Sequence, residues 1–496
     1  MNALLDIDVG TTSTKAVLFD TTGVELARFI SDPYQSQTPY PGWVEQNPED
    51  LWQALLTAVR GAMAEVDDDV HVQALCMAVQ SGSLLPVDDK GEPVYPLITW
   101  MDHRTDELVN QWREEGIEEQ IKGTSGWSLY PGLCLLTIAW LREHNPEVFA
   151  AATHFLSLND FFTLRLTGKY STNPSNAGGM ALIDIRRGRW SDALCSLAGI
   201  TEDQLSPVQP SGTVIGEIRP EICQAAGLME GTPLVSGGHD QGCTALGLGI
   251  NSPGKLLLAC GTAWVITGVT DSPDMDHLPV SLEMNFHPAP RRWTISQSLG
   301  GLGASLEWWI NQSWLSTSGK TSRKEAYSAL NDALAHTKPG GGGLFFLPLI
   351  GGHMDQTTAK KGGFLGLQLN HTRADMARAI MECAAFELRW ALEAVQGAGF
   401  PVDRLWMVGG AADSPLWPEI LATVTNVPIR VPGYDNWPAL GAAILAGMGV
   451  GLVESIDDGL SHFRRKSRAV EPNQELRTLY DDGFAIYEEY AERNRH

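Results

Sequence analysis

Two short stretches of this chain repeat one construction. In "LLDIDVGTTSTKAVLFD" an apolar run from Leu4 to Val9 meets Gly10-Thr11-Thr12, and Ala16–Phe19 is apolar again. In "GKLLLACGTAWVITGVT" a second apolar run meets Gly261-Thr262 and re-emerges in the same way. Each reads as strand, tight turn, strand, whereas a Walker loop would lead from a strand into a helix. After the first hairpin, Asp20-Thr21-Thr22-Gly23 makes another turn before Val24–Arg28, so the sheet opens as a meander. A hairpin tip with hydroxyls and bare amides is able to grip phosphate, with Asp8 beside it for a metal ion and Lys15 within the same motif. An ordinary tight hairpin is the alternative for either stretch alone.

The repeat divides the chain into two α/β halves, and 496 residues exceed one ordinary core. Gly247, Gly249, Asn251, Pro253 and Gly254 cluster between the halves, which places the lobes at residues 1–248 and 249–496. A formal charge of −24, with 35 Lys and Arg in all, argues against nucleic acid as a partner. It is no obstacle to ATP, whose charge is met locally by Mg²⁺ and backbone amides. The chain opens on a strand pattern with no secretory signal, and its longest apolar run, Lys255–Val269, is too short to span a bilayer. Cys76, Cys134, Cys195, Cys223, Cys243, Cys260 and Cys383 are scattered without paired spacing. Reduced thiols in a cytoplasmic protein are therefore expected, with no zinc site, disulfide framework or membrane contact.

Local signals place further elements. Asn47 and Pro48 open a helix that continues through Leu51, Leu55 and Val59, and "VQALCMAV" is a buried strand. "KPGGGGLFFLPLIGG" reads as a loop before a strand. "SGKTS" at Ser318–Ser322 mimics the end of a Walker loop, but Trp314 stands where the first glycine is required, so a polar loop is expected.

In "TPLVSGGHDQGCTALGLG", Leu234–Ser236 is a short strand, Gly237-Gly238 permits a tight turn, and Asp240 opens a helix. A carboxylate there suits general-base work beside a substrate hydroxyl, or it is a simple N-cap. In "DRLWMVGGAADSPLWPEILATV" a strand from Leu405 to Val408 runs into Gly409–Ala412, with a helix expected from Ser414-Pro415. Small residues at such a turn let the chain approach a ribose or a flat ring.

Together these stretches resemble the FGGY carbohydrate kinase family from end to end. The sharpest match is "GGFLGLQLNHTRADMARAIMECAAFE", where Gly362, Phe364, Gly366, Leu367, Asp375, Met376, Ala379, Ile380, Met381 and Glu382 fit the carboxy-terminal signature. In "GLCLLTIAWLREH", Trp140, Leu141 and His144 fit the amino-terminal one, with Thr137 and Cys134 departing from it. The resemblance implies the actin-like (ribonuclease H-like) α/β fold, two lobes with a nucleotide- and substrate-binding cleft between them. It implies ATP and Mg²⁺ as cofactors. It also implies a small-molecule carbohydrate as the substrate, and a homodimer is the assembly considered.

Carried over by residue, Asp8, Gly10, Thr11, Thr12 and Lys15 match the first phosphate motif, with Asp8 also toward the metal, and Gly261-Thr262 match the second. Gly303 and Glu307 in "GGLGASLEWW" fall on positions that face the nucleotide in relatives, and Gly410, Ala411 and Ser414 match the adenosine motif. Glu307 replaces a glutamine of glycerol kinases, and Ala411 a glycine common in sugar kinases. Asp240 matches the catalytic base and Gln241 a neighbouring substrate contact.

Gln80-Ser81-Gly82 stands where xylulokinases carry Gln-Met-His and glycerol kinases Gln-Arg-Glu. Trp100, Asp102 and Arg104 form a W-x-D-x-R pattern similar to that of xylulose and gluconate kinases, and Trp43 is able to stack on a sugar face. Arg104 could hold a carboxylate or bridge hydroxyls; a surface ion pair with Asp102 or Asp106 is the alternative. A pentulose such as xylulose is the first expectation, with gluconate or a polyol such as glycerol next. Outside the kinases, the fold also serves actin-like ATPase switches and would suit an inactive sugar-sensing homologue. Against the chaperone reading, no peptide-binding β-domain is expected after the second lobe, and both halves are taken up by kinase-like motifs.

Overall fold

A computed structural model of the chain describes residues 1–275, 278–279, 281–315, 322–348, 362–463 and 466–493. Of the Ser318–Ser322 stretch only Ser322 is among them, and the end of the glycine-rich stretch, 349–352, also lies outside the described residues.

The principal sheet of each half is mixed, and the first half carries a smaller five-stranded sheet besides. In the first, β1 (Asn2–Val9), β2 (Thr14–Asp20) and β3 (Glu25–Ile30) form the antiparallel meander. On the other side of β1, β4 (His71–Val79) runs parallel to it, followed by β5 (Val214–Glu217) and β6 (Pro233–His239), giving the order β5-β6-β4-β1-β2-β3. Helix α1 (Pro48–Ala64) begins where the sequence places it, because the Asn47 side chain accepts the Glu49 N–H at 3.1 Å and Pro48 needs no partner. Leu51, Leu55 and Val59 are buried beneath it.

The second sheet repeats the plan. β7 (Gly254–Cys260), β8 (Trp264–Thr270), β9 (Glu283–Phe286) and β10 (Trp293–Gly300) are antiparallel neighbours, and β11 (Val402–Val408) and β12 (Ile429–Pro432) run parallel to β7. With β13 (Ser467–Val470) the order is β9-β10-β8-β7-β11-β12-β13. The run β3-β2-β1-β4-β6 of the first sheet thus corresponds to β10-β8-β7-β11-β12 of the second. The echo between the two Gly-Thr turns is an echo of whole sheets.

The helices that follow the last strand of each run meet. Helix α2 (Asp240–Gly247) follows β6, and the helix Trp437–Gly449 follows β12. A Cβ on Gly441 would lie 2.0 Å from the Cys243 carbonyl oxygen, and one on Gly247 2.6 Å from that of Trp437. Only glycine permits this approach. The pair joins Leu4, Phe19, Cys76 and Val235 of the first sheet to Leu257 and Val269 of the second in one apolar cluster, which ties the lobes together. All seven cysteines are buried and none forms a disulfide. Among the described residues no helix is long and apolar enough to cross a membrane.

Candidate active site

The site residues gather where parallel strands end. β6, β4 and β1 lie side by side, with His239 opposite Val79 and Val79 opposite Val9. Asp8, Gln80 and Asp240 therefore come to one sheet edge, which is where open α/β sheets carry their sites. The tip of the first hairpin is tied from three sides. Tyr34 Oη donates to the Gly10 carbonyl, Gln46 Nε2 donates to the Thr11 carbonyl at 2.9 Å, and Thr11 Oγ1 donates to Gln80 Oε1 at 3.1 Å. Neither Gly10 nor Gly261 has a positive φ, and a Cβ on either would meet nothing in the protein nearer than 3.5 Å. The space in front of both tips is left open by the chain, as a phosphate cradle requires.

Asp8 pairs across the hairpin with Lys15 at 3.1 Å. Burial pushes its carboxyl up, Lys15 pulls it back and Asp240 adds repulsion. Among the described residues no group of three or more His, Cys, Asp or Glu is able to hold a metal ion by itself. A lone carboxylate beside an open phosphate cradle fits Mg²⁺, which is held by one or two carboxylates together with substrate phosphates.

Asp240 is the first residue of α2, and its carboxylate takes the N–H of Gln241 at 2.6 Å. His239 stands at the N-cap position, without a side-chain capping bond, so Asp240 is not the N-cap. His239 Nε2 lies 2.9 Å from Asp240 Oδ1. Burial works against the charge, but His239 and the Gln241 amide outweigh it and hold Asp240 below the ordinary carboxylate range. Gly237 and Gly238 do not turn. They stay within β6, where a Cβ on the first would lie 1.8 Å from the Met77 carbonyl oxygen and one on the second 2.8 Å from Pro288.

On the sugar side, Arg104 forms its ion pair with Asp102, at 2.8 Å, but not at the surface. Its side chain has no exposed area and pairs also with Glu45 at 2.7 Å, while Asp106 pairs with His103. The guanidinium stands 4.0 Å from the Trp43 ring centre, so one face of that indole is covered. Arg104 is a buried strut, braced by two carboxylates and an aromatic face. Trp100, by contrast, is 41% exposed beside Gly82. Ser81 Oγ donates to the Asn176 carbonyl at 3.4 Å, and Gln241, next to Asp240, is half-buried.

The second lobe holds a cavity of about 660 Å³. Gly261, Thr262, Gly303, Glu307, Gly410, Ala411 and Ser414 all line it, although they come from three separate segments. Gly303 lies in the first turn of the helix α3 (Leu302–Ile310), and a Cβ there would lie 2.1 Å from the Gly261 carbonyl oxygen. Gly410–Asp413 forms a single 3₁₀ turn, and the helix expected at Ser414 begins at Trp417, with Ser414 Oγ accepting the Trp417 N–H at 3.2 Å. Arg323, Lys324, Tyr327 and Asn331 also line the cavity, from the helix α4 (Arg323–Leu334). Arg323 pairs with Glu307, whose other oxygen accepts the Tyr327 hydroxyl at 2.9 Å. The readable signal was the capping box Ser322-x-x-Glu325.

Residues 3–247 match the model of the FGGY family of carbohydrate kinases, N-terminal domain, and residues 256–450 match that of the C-terminal domain. The chain belongs to the FGGY family of carbohydrate kinases. It is 29% identical to the xylulose kinase of Bacillus subtilis (strain 168), over 98% of this chain and 97% of that one. It is 26% identical to the gluconokinase of Bacillus licheniformis, over 96% and 94%. A solved xylulose kinase from Lactobacillus acidophilus superposes with a TM-score of 0.91 at 23% identity, covering 99% of this chain and 98% of that one. This FGGY chain is thus a phosphotransferase acting on a sugar hydroxyl, with the actin-like two-lobed fold and ATP as the donor its family implies.

Proposed function

We propose that this FGGY kinase transfers the γ-phosphoryl group of ATP to a hydroxyl of a pentulose such as xylulose, with Asp240 as general base. The observation that carries the reading is the place of Asp240, half-buried at the start of α2 on the edge where Asp8 and the first hairpin lie, with His239 and the Gln241 amide holding its carboxyl below the ordinary range. Asp240 takes the hydroxyl proton as the sugar oxygen bonds to phosphorus and the bond to the ADP oxygen breaks. Asp8 would hold Mg²⁺, and Gly10–Thr12 and Gly261-Thr262 would receive the phosphates. Magnesium supplies charge neutralisation when bound. Gly303, Glu307, Gly410, Ala411 and Ser414 form the nucleoside side, which assigns the sugar and the base to residues 1–248 and the nucleotide to 249–496.

Relatives bear the names of xylulose, gluconate and other sugar kinases, so the sugar is argued from the site. Arg104, the residue that would bind a sugar acid, has its guanidinium engaged by Asp102 and Glu45. That supports an uncharged sugar, with Trp100 as a stacking face and Gln80 and Ser81 as polar contacts. The test is ADP release with MgATP across pentuloses, hexonates, polyols and glycerol. Turnover stimulated by a pentulose and lowered roughly 10²–10⁴-fold in Asp240→Asn is expected. Stimulation by a hexonate alone would reject the pentulose, and sugar-independent hydrolysis that Asp240→Asn leaves intact would reject the transfer.

A further inference from the structure

We propose that His239 is the positioning residue of the catalytic base: with the Gln241 amide it occupies Oδ1 of Asp240, so that Oδ2 is the oxygen that takes the substrate proton. The inference rests on the kinase reading above and goes beyond it by assigning the atom and its support. Both donors converge on one oxygen, Gln241 N–H at 2.6 Å and His239 Nε2 at 2.9 Å. An oxygen that accepts two hydrogen bonds, one of them from a charged or polar ring, is the poorer proton acceptor of the carboxylate. Directional capping of Oδ1 also fixes the plane of the carboxylate, and with it the direction in which Oδ2 points.

The surroundings suit a fixed pair. His239 ends β6, and its N–H donates to Ser175 Oγ at 2.9 Å, while Ser175 Oγ donates to Asn173 Oδ1 at 2.8 Å. Gly238 before it and Gly242 after it are both crowded by Pro288, with 2.8 Å to a Cβ at either position. The backbone on each side of the pair is thereby held. Nε2 carries the proton in the pairing with Oδ1, a tautomer assigned from that partner, and it carries one whether the ring is neutral or protonated. The other titratable groups around the pair are Asp6 and Asp8 on β1, Lys15 on β2, Cys76 on β4, Cys243 on α2 and the buried, neutral His287 beside Pro288. Asp8 is repelled by Asp240 and compensated by Lys15.

His239→Leu, His239→Asn and His239→Gln in the full chain test this, with saturating MgATP and the sugar that the wild type turns over. Loss of one hydrogen bond to a charged group predicts a fall in kcat of roughly 10- to 100-fold in the Leu variant. KM for the sugar should stay within about twofold, and the acidic limb of kcat should move to higher pH, because burial would act on Asp240 with its first counterweight gone. Gln reaches about as far as Nε2 and should regain most of the rate and the limb, while Asn stops a bond short and should not. Wild-type kcat and an unmoved limb in Leu and Asn would overturn the proposal. So would a loss that Gln fails to restore, since a merely structural role gives that pattern. If Leu does not fold, as judged by ADP binding, the contrast between Gln and Asn decides in the same way. A wild type without sugar-dependent turnover would instead bring down the kinase reading, and this inference with it.

Discussion

Val9–Thr14 and Cys260–Trp264 join equivalent strands at equivalent corners of their sheets, yet they are supported differently. The first tip is held by side chains: Tyr34, Gln46 and Gln80 reach its carbonyls and hydroxyl, and Asp8 and Lys15 pair at its base. The second is held by backbone and apolar packing. The Ala304 N–H donates to the Thr262 carbonyl at 3.0 Å, Gly303 and Gly409 press their backbones on Gly261 and Cys260, and Trp264 is buried 5.0 Å from Trp417. Side-chain support places charge and is able to tune it, whereas backbone support fixes only shape. The two turns share one plan, but the first carries charged and polar side chains and the second is fixed by its backbone.

Breaking the charged hairpin should have the largest effect. Asp8→Asn keeps the shape and removes the charge, and kcat should fall about 10²–10³-fold, the scale seen when one electrostatic contact to a transition state is lost. ADP affinity, measured by calorimetry, should stay within about twofold, because the 660 Å³ cavity lies in the other lobe. A rise in KM for ATP with kcat unchanged would show that both hairpins grip and neither is specialised. The complementary break is Gly303→Ala. Its Cβ would sit 2.1 Å from the Gly261 carbonyl oxygen, and backbone is a poor neighbour to displace. Overpacking of this kind costs about 1–3 kcal/mol, so KM for ATP should rise roughly tenfold or more while kcat is kept. A fall in kcat at unchanged KM would reverse the assignment. Gln46→Leu should do less, because Tyr34 and Gln80 still hold the first tip. The cost is about 1 kcal/mol for one hydrogen bond, a few-fold loss in kcat/KM that steady-state kinetics would read.

What the sequence made legible was local. The meander, α1 and both turns follow from short apolar runs, a glycine and an Asn-Pro cap, all within reach of their own neighbours. The supports were not, because their partners are distant in the chain. Arg104 read as a sugar contact or a surface pair because Glu45 is 59 residues away, and nothing nearby announces that an aromatic face will cover it. Gly237-Gly238 read as a turn because glycine usually punctuates; here it yields to the Met77 carbonyl and to Pro288 of the other half. Helix α4 lies beyond a stretch read as polar loop, yet it lines the cavity of the second lobe. A boundary at residue 248 divides the sheets, but Trp437–Gly449 crosses back onto the first one. The signature residue Glu382 shows the same split. It reads as a family mark, and its buried carboxylate proves to hold Arg378 at 2.8 Å, the Tyr480 hydroxyl at 2.9 Å and the Gly340 N–H at 3.0 Å.

The smallest effect concerns the contact that sets one hairpin against the other. Strand β9 packs on the first lobe: the Met284 N–H donates to the Gly126 carbonyl at 2.9 Å, and Asn285 Nδ2 donates to that of Ser175 at 3.0 Å. Burial pushes the carboxyl of Glu283, on the same strand, up to about 7, with Lys122 of the first lobe drawing it back. In the unfolded chain a Glu titrates near about 4.3, so the folded state binds this proton more tightly. The stability it contributes is fully present below the unfolded value and is lost as pH rises through about 7. The melting temperature should therefore fall by a few degrees between about pH 6 and 8, and Glu283→Gln should flatten that decline. His287, held neutral with a value of about 3, does not titrate in the window, and the exposed histidines act equally in both proteins. A decline that survives in Glu283→Gln would mean that the ionised carboxylate reaches water without disturbing the contact. The alignment of the two hairpins would then rest on the crossed helices and their glycines alone.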